Sequence, residues 1–284
     1  MRTVRTTYTR LSMAMTSLLL LPIAGQAAEI AITLDDLPYA MPSRVSLDEG
    51  CGIVDAVNRT LKEHGVQAMG FAIGARITPE TEPLIASFVQ SGHDLGNHSW
   101  SHPDYNELTS GEFRTETIRA HDVISRWTGS GNFYRFPFLH QGETPEKLAA
   151  SSAILAELGY RNVPVSIDDD DFLFNSDYMQ ALANRDPDGA DAIAERYLEH
   201  MKERTAFFQN LAQEQLGRDV KHILLLHMNK INADHLGDLL DWYRSEGWNF
   251  IPVREALADP IYATAGRYVG PKGLSQIQRM AETE

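Results

Sequence analysis

The chain has 284 residues, 43% of them hydrophobic and 23% charged, with a formal net charge of −14 and one cysteine. That length and apolar content suit a globular protein with a sizeable core of its own. The acidic balance argues against nucleic acid as a partner, since phosphate neutralisation needs a basic surface. A lone Cys51 excludes an internal disulfide.

The N-terminus reads as a secretory leader over residues 1–28. Arg2, Arg5 and Arg10 precede an apolar stretch from Leu11 to Ala24, and small residues follow at Gly25, Ala27 and Ala28. The apolar stretch is short for a membrane span, and no later run approaches spanning length. The expectation is an exported protein, periplasmic or extracellular, with no stable membrane span once the leader is removed. Three arginines and no acids precede Glu29, so the remainder is more acidic still. The sequence leaves the oligomeric state open.

From Glu29 onward strand-like and helix-like stretches alternate. Apolar runs fall at 29–34, 66–73, 93–97, 132–138, 161–167, 220–226 and 248–253. Helical patterns fill 47–64, 79–91, 110–128, 145–158, 190–216 and 232–246. Thr109 or Ser110 ahead of Glu112 suggests a capping arrangement, and Gly65 and Gly159 stand where helices should end. Strands separated by helices imply a parallel sheet with crossovers, either a nearly closed βα barrel or an open doubly wound sheet. We expect a single domain over 29–284, with a helical insertion around 172–218.

In both parallel architectures chemistry gathers at the C-terminal ends of strands. Chemically capable residues recur at those ends. The first run stops at Asp35 and Asp36; the third leads into His98 and His102. The fourth carries Arg135 and His140, the fifth runs into Asp168 and Asp171, and the sixth ends at His227. His98 and His102 have the H-x-x-x-H spacing that on a helical turn puts two imidazoles on one side, able to share a metal. Asp36 or Asp35 would complete a two-histidine, one-carboxylate site for a catalytic divalent cation, with the other aspartate left as a base. That donor set suits Zn2+, and Co2+, Ni2+ or Mn2+ fit the same geometry.

The segments TLDDLP (33–38), HSWSH (98–102), RFPF (135–138), DDDDF (168–172) and LLH (225–227) resemble, in order and spacing, the five motifs of the polysaccharide deacetylases, the NodB-type carbohydrate esterases of family 4. The resemblance covers about residues 29–258. It implies an α/β fold, a distorted (β/α)7 barrel, and metal-dependent removal of acetyl groups from an N- or O-acetylated glycan. It further implies that Asp36, His98 and His102 bind the metal, that Asp35 is the general base held by Arg135, and that His227 is the general acid supported by Asp168. Leu226 and Phe172 would line the pocket for the acetyl methyl, and a backbone N–H around Phe138 would hold the oxyanion.

Some positions depart from the family pattern: Leu37 replaces a glycine, Phe136, Phe138 and Leu139 replace P-x-Y-G residues, and Phe172 replaces a tryptophan. All ligands and proton-transfer groups remain, so the departures bear on substrate choice. His140 and Trp100 are candidate sugar contacts, with a loop histidine and a packing tryptophan as the alternatives. Asp169 and Asp170 read as solvated loop acids, and His93 and His222 as structural. An amidase on a small non-sugar C–N bond and a non-catalytic carbohydrate-binding protein are the competing readings.

Overall fold

A computed structural model describes residues 27–282 apart from 130, 265 and 267. All but the last two residues of the expected leader therefore lie outside the described residues. Seven strands form one parallel sheet: β1 (Glu29–Leu37), β2 (Met69–Ala72), β3 (Asp94–Asn97), β4 (Asn132–Tyr134), β5 (Tyr160–Asn162), β6 (Lys221–His227) and β7 (Asn249–Phe250). The order is β5-β4-β3-β2-β1-β6, with β7 paired to the start of β1. Each strand core matches an apolar run expected from the sequence.

No continuous ladder closes the sheet. Past β5 the chain meets β6 through a single bridge, Ile167 to Leu224, backed by hydrogen bonds from the Ser166 and Ile167 amides to the Ile223 carbonyl. This is a parallel barrel left distorted at one seam, as the resemblance implied. β1 is its centre, paired over seven residues with β6 and over a shorter stretch with β2.

Alternation along β1 and β6 separates two cores. Ile30, Ile32, Leu34, Leu224 and Leu226 pack outward against the surrounding helices. Ala31, Ile223 and Leu225 face the barrel interior with Met69, Phe71 and Phe133. The helices that cover the sheet start and stop where the sequence punctuates them. α1 (Leu47–Glu63) opens with a Ser46–Glu49 capping box, and α3 (Ser110–Ile124), after α2 (Glu82–Gln90), opens with one between Thr109 and Glu112. Gly65 and Gly159 take φ of 58° and 72° just past α1 and α4 (Pro145–Glu157).

The insertion before β6 contains two helices rather than the single one its periodicity suggests: α5 (Asp171–Ala183) and α6 (Pro187–Leu216), joined by a tight turn with Arg185 at φ 55°. α5 escapes a periodicity reading because its apolar residues are scattered around the helix: Phe172 and Leu173 are exposed while Tyr178 and Ala181 are buried. α7 (Lys230–Ser245) follows β6 and packs on α1 and α5. Among the described residues no helix is long and apolar enough to cross a membrane.

Candidate active site

At the C-terminal end of β1 two adjacent carboxylates enter the same cleft, which regular strand alternation would forbid. The register of β1 against β2 breaks between Leu34 and Leu37, and Asp36 adopts a left-handed φ of 70°. That local kink turns Asp36 back beside Asp35. Further non-glycine residues with positive φ stand around the same cleft, at Ser99, His102, Phe138, Leu139 and Asp170, the kind of backbone strain that functional sites retain.

Asp35 is buried, and Arg135 reaches it from just past the end of β4. The guanidinium donates from Nη1 to both Asp35 oxygens at 3.1 and 3.3 Å, from Nη2 to Thr33 Oγ1 and from Nε to the Val163 carbonyl. It also lies over the Phe71 ring, 4.4 Å from its centre. Every face of a fully buried cation is therefore matched. Burial pushes the Asp35 carboxyl up, and Arg135 pulls against that rise.

His98 and His102 close on Asp36, though not from a helix: they lie on an irregular loop after β3, with Ser99 and His102 at φ 66° and 62°. The helical-turn geometry expected of their spacing is replaced by these two left-handed residues. His98 Nε2 and His102 Nε2 lie 4.0 and 3.6 Å from Asp36 Oδ1. The three ligand atoms sit within 4.8 Å of one another. His98 Nδ1 donates to the Arg135 carbonyl at 2.9 Å, which leaves Nε2 bare and aimed inward. Burial holds both imidazoles down at about 4, in the neutral form that offers a lone pair. Asp36 Oδ1 is buried with no hydrogen-bond partner. Burial raises the Asp36 carboxyl, but the charges of His227 and Arg76 lead the groups that outweigh it and hold it below its ordinary value. An orphaned carboxylate oxygen facing two neutral imidazole nitrogens fits a divalent cation.

Across the cleft from this trio His227 ends β6. Its Nδ1 meets Asp171 Oδ1 at 2.5 Å. The carboxylate on His227 is thus Asp171, not Asp168. Asp170 takes a left-handed φ of 58° and turns the chain into α5, so Asp171 enters the first turn of that helix and points back at β6. Its Oδ2 accepts from the His227 amide, Asn229 Nδ2 and Asn232 Nδ2. Burial disfavours the His227 cation, yet Asp171 overcomes it and lifts the imidazole to about 10. Asp168 lines the cleft instead, pushed up to about 6 by burial and by Asp170.

Three other expectations are corrected. Leu226 faces the outer core and is fully buried there; Leu225, on the same side of β6 as His227, lines the cleft. Trp100 is not among the cleft residues: its ring packs over Gly74 and under the Arg119 guanidinium, 4.3 Å away. Asp169 is no solvated acid but fully buried, accepting from the Asp171 amide at 3.0 Å. Phe138, Phe172 and His140 do line the cleft, with a volume of about 630 Å3. The Phe138 ring stands edge-on to His102 and the Phe172 ring edge-on to His227. His140 Nδ1 is 2.8 Å from Asp104. Gly273, from a C-terminal stretch with no readable periodicity, enters the same wall.

The family model described as polysaccharide deacetylase matches residues 24–163. The peptidoglycan-N-acetylglucosamine deacetylase of Listeria monocytogenes is 25% identical over 241 residues, covering 84% of this chain. The chain spans only 41% of that relative's length. A chitin deacetylase of Colletotrichum lindemuthianum is 24% identical over 240 residues, 82% of this chain and 81% of its own. The solved structure of the chitin deacetylase from that fungus superposes with a TM-score of 0.57 at 21% identity, over 82% of this chain and 89% of that one. The chain belongs to the polysaccharide deacetylase family.

Fold alone does not carry activity in this family. A pseudoenzyme of carbohydrate esterase family 4 from Bacillus anthracis superposes with a TM-score of 0.54 at 16% identity, over 81% of this chain and 66% of that one. What has to be weighed is the set of side chains. In this deacetylase-family chain the Asp36–His98–His102 trio, the Arg135–Asp35 pair and the Asp171–His227 pair are all present around one cleft.

Proposed function

We propose that the protein is an exported, metal-dependent hydrolase that removes acetyl groups from an acetylated glycan. Asp36, His98 and His102 would hold the cation, zinc by the donor set. When bound, that cation supplies Lewis acidity to the attacking water and the acyl oxygen.

The protein's own residues account for the proton transfers. Asp35, ionised against Arg135, takes the proton of the attacking water at its carboxylate. Arg135 does not itself move a proton; with three further anchors it fixes the Asp35 oxygens in place. His227, charged through Asp171, gives a proton from Nε2 to the leaving nitrogen, because Nδ1 is held by the carboxylate. The Phe138 backbone N–H stabilises the oxyanion, and Leu225 and Phe172 enclose the acyl methyl. His140 contacts the sugar.

One observation carries this reading above the others. A buried carboxylate held by a cation and a buried imidazole held by an anion face each other across an orphaned metal-ligand oxygen. Opposed proton carriers of this kind have no use in a binding protein. The test is acetate release from N-acetylglucosamine oligomers, peptidoglycan fragments and acetylxylan by chelator-treated and zinc-restored protein. Release lost with chelator and regained with zinc supports the proposal. Zinc binding without release from any of them refutes it.

A further inference from the structure

The catalytic cleft does not end at its own wall. A second cavity of about 480 Å3 adjoins it between α1, α5 and α7, and Arg44 lines both. The second cavity is aliphatic: Val45, Ile53 and Ala56 on one side face Met179, Leu182 and Ala183 on the other. Sugar rings are ordinarily received by aromatic faces and hydrogen-bonding groups. A groove of branched and straight aliphatic side chains suits hydrocarbon instead.

The apolar surface of the molecule is concentrated here. Among the described residues seven large hydrophobic side chains are exposed, and four line these two cavities: Phe138, Phe172 and Leu173 in the cleft, Leu182 in the groove. On a strongly acidic chain such a concentration of exposed apolar side chains marks a binding surface rather than incidental exposure.

The charges of the groove point to an anion at the junction. Lys230 is engaged by Asp234 at 2.6 Å, and Glu49 is engaged in the Ser46 capping box. Arg44 forms no ion pair among the described residues; its only side-chain hydrogen bond is a 3.4 Å contact to Ser176 Oγ. Its guanidinium is exposed at the point where the polar cleft gives way to the aliphatic groove. A fork of donors there matches a phosphate.

We propose that the groove is the tail site of an amphiphilic substrate, an acetylated sugar joined through a phosphate to a hydrocarbon chain. The sugar occupies the cleft, Arg44 holds the phosphate, and the chain lies between α1 and α5. This rests on the deacetylase reading for the sugar half only.

The experiment measures binding without turnover, using alkyl phosphates from butyl to decyl below their micellar concentrations, with decyl maltoside as the neutral comparison. Affinity should rise about fourfold per added methylene until the groove is filled. Arg44→Ala should weaken decyl phosphate about tenfold or more, the worth of one charge-assisted hydrogen bond. Leu182→Glu, at an exposed position and checked by its melting curve, should abolish the chain-length dependence. Affinity independent of chain length, or equal for decyl phosphate and decyl maltoside in both the parent and Arg44→Ala, overturns the proposal. Acetate release from soluble oligomers with no alkyl phosphate binding leaves the deacetylase reading standing alone. Binding of decyl phosphate without any deacetylation leaves the groove standing alone.

Discussion

Asp171 and His227 form a buried pair, Nδ1 to Oδ1 at 2.5 Å, in which the carboxylate is also fixed by the His227 amide and two asparagine side chains. Burial alone would keep His227 neutral, so the charge on the imidazole depends on Asp171. The pKa of His227 rises from its ordinary 6.5 to about 10. Its contribution to stability is therefore complete below pH 6.5 and is lost as pH climbs toward 10. If His227 is the acid, kcat/KM should fall on the alkaline side at a pH above the ordinary imidazole range. Asp171→Asn should bring the alkaline limb down by about one unit or more, read from kcat/KM against pH. An unmoved limb in Asp171→Asn would mean that His227 is not the group titrating.

Arg135 is the cation that keeps Asp35 usable. Its guanidinium bonds Asp35, Thr33 and Val163 at once, a fork that a lysine ammonium cannot reproduce. Arg135→Leu leaves a buried, unpaired carboxylate and should destabilise the fold by about 3–5 kcal/mol. Arg135→Lys should fold better yet recover little activity. Its acid limb should move upward, because the rise that burial imposes on the Asp35 carboxyl is then opposed less. Denaturant melts and pH–rate profiles of the two variants, measured side by side, separate the structural loss from the catalytic one.

The parallel sheet was legible because its central strands β1, β2 and β6 are buried on both faces and read as apolar runs. Most of the site was legible too, since its residues cluster at strand ends. What the sequence hid was set by single backbone conformations. Four consecutive aspartates, 168 to 171, are chemically alike, and only the left-handed turn at Asp170 decides which one meets His227. Leu225 and Leu226 are identical residues on opposite faces of β6. The H-x-x-x-H spacing picked out two imidazoles that do converge on Asp36 but implied a helical turn, where two left-handed residues bring them together instead.

The trio Asp36, His98 and His102 should bind one zinc ion per chain, and binding should stabilise the fold. At free zinc a hundredfold above Kd the gain is about 2.7 kcal/mol. Zinc should therefore raise the melting temperature of the chelated protein, and Asp36→Asn should lose both the bound ion and the rise. His64→Ala, at the C-terminal end of α1 with its ring bonded to the Thr60 carbonyl and Asp241, should keep both. Metal content by mass spectrometry and melting curves decide the matter together.

Two adjacent leucines of β6, Leu225 and Leu226, offer a sharp contrast. Leu226→Ala opens a cavity in the outer core and should cost about 2–5 kcal/mol of stability with little effect on acyl selectivity. Leu225→Ala removes bulk from the cleft wall instead. It should let propionyl and butyryl groups compete with acetyl, seen as a narrowed ratio of kcat/KM values across an acyl series. Equal selectivity in the two variants would show that Leu225 does not bound the acyl pocket.

Gly273 brings the C-terminal stretch into the cleft wall. The stretch is held on one side by Asn106 Nδ2 donating to the Pro271 carbonyl, and on the other by the Gln276 amide donating to Val165. A Cβ at residue 273 would collide with the Phe138 carbonyl oxygen and lie 3.3 Å from His140. Only glycine lets the chain lie against a turn already committed to left-handed φ of 57° at both Phe138 and Leu139. Gly273→Ala must therefore displace that turn, and with it the Phe138 ring that stands edge-on to His102. The expected result is about a tenfold loss in kcat with zinc stoichiometry intact, the cost of shifting a positioned group rather than removing it. In a Phe138→Ala background the same substitution should still cost kcat, because the Cβ meets the Phe138 backbone carbonyl, which that variant keeps. A double variant no worse than Phe138→Ala alone would mean that Gly273 acts only through the Phe138 ring.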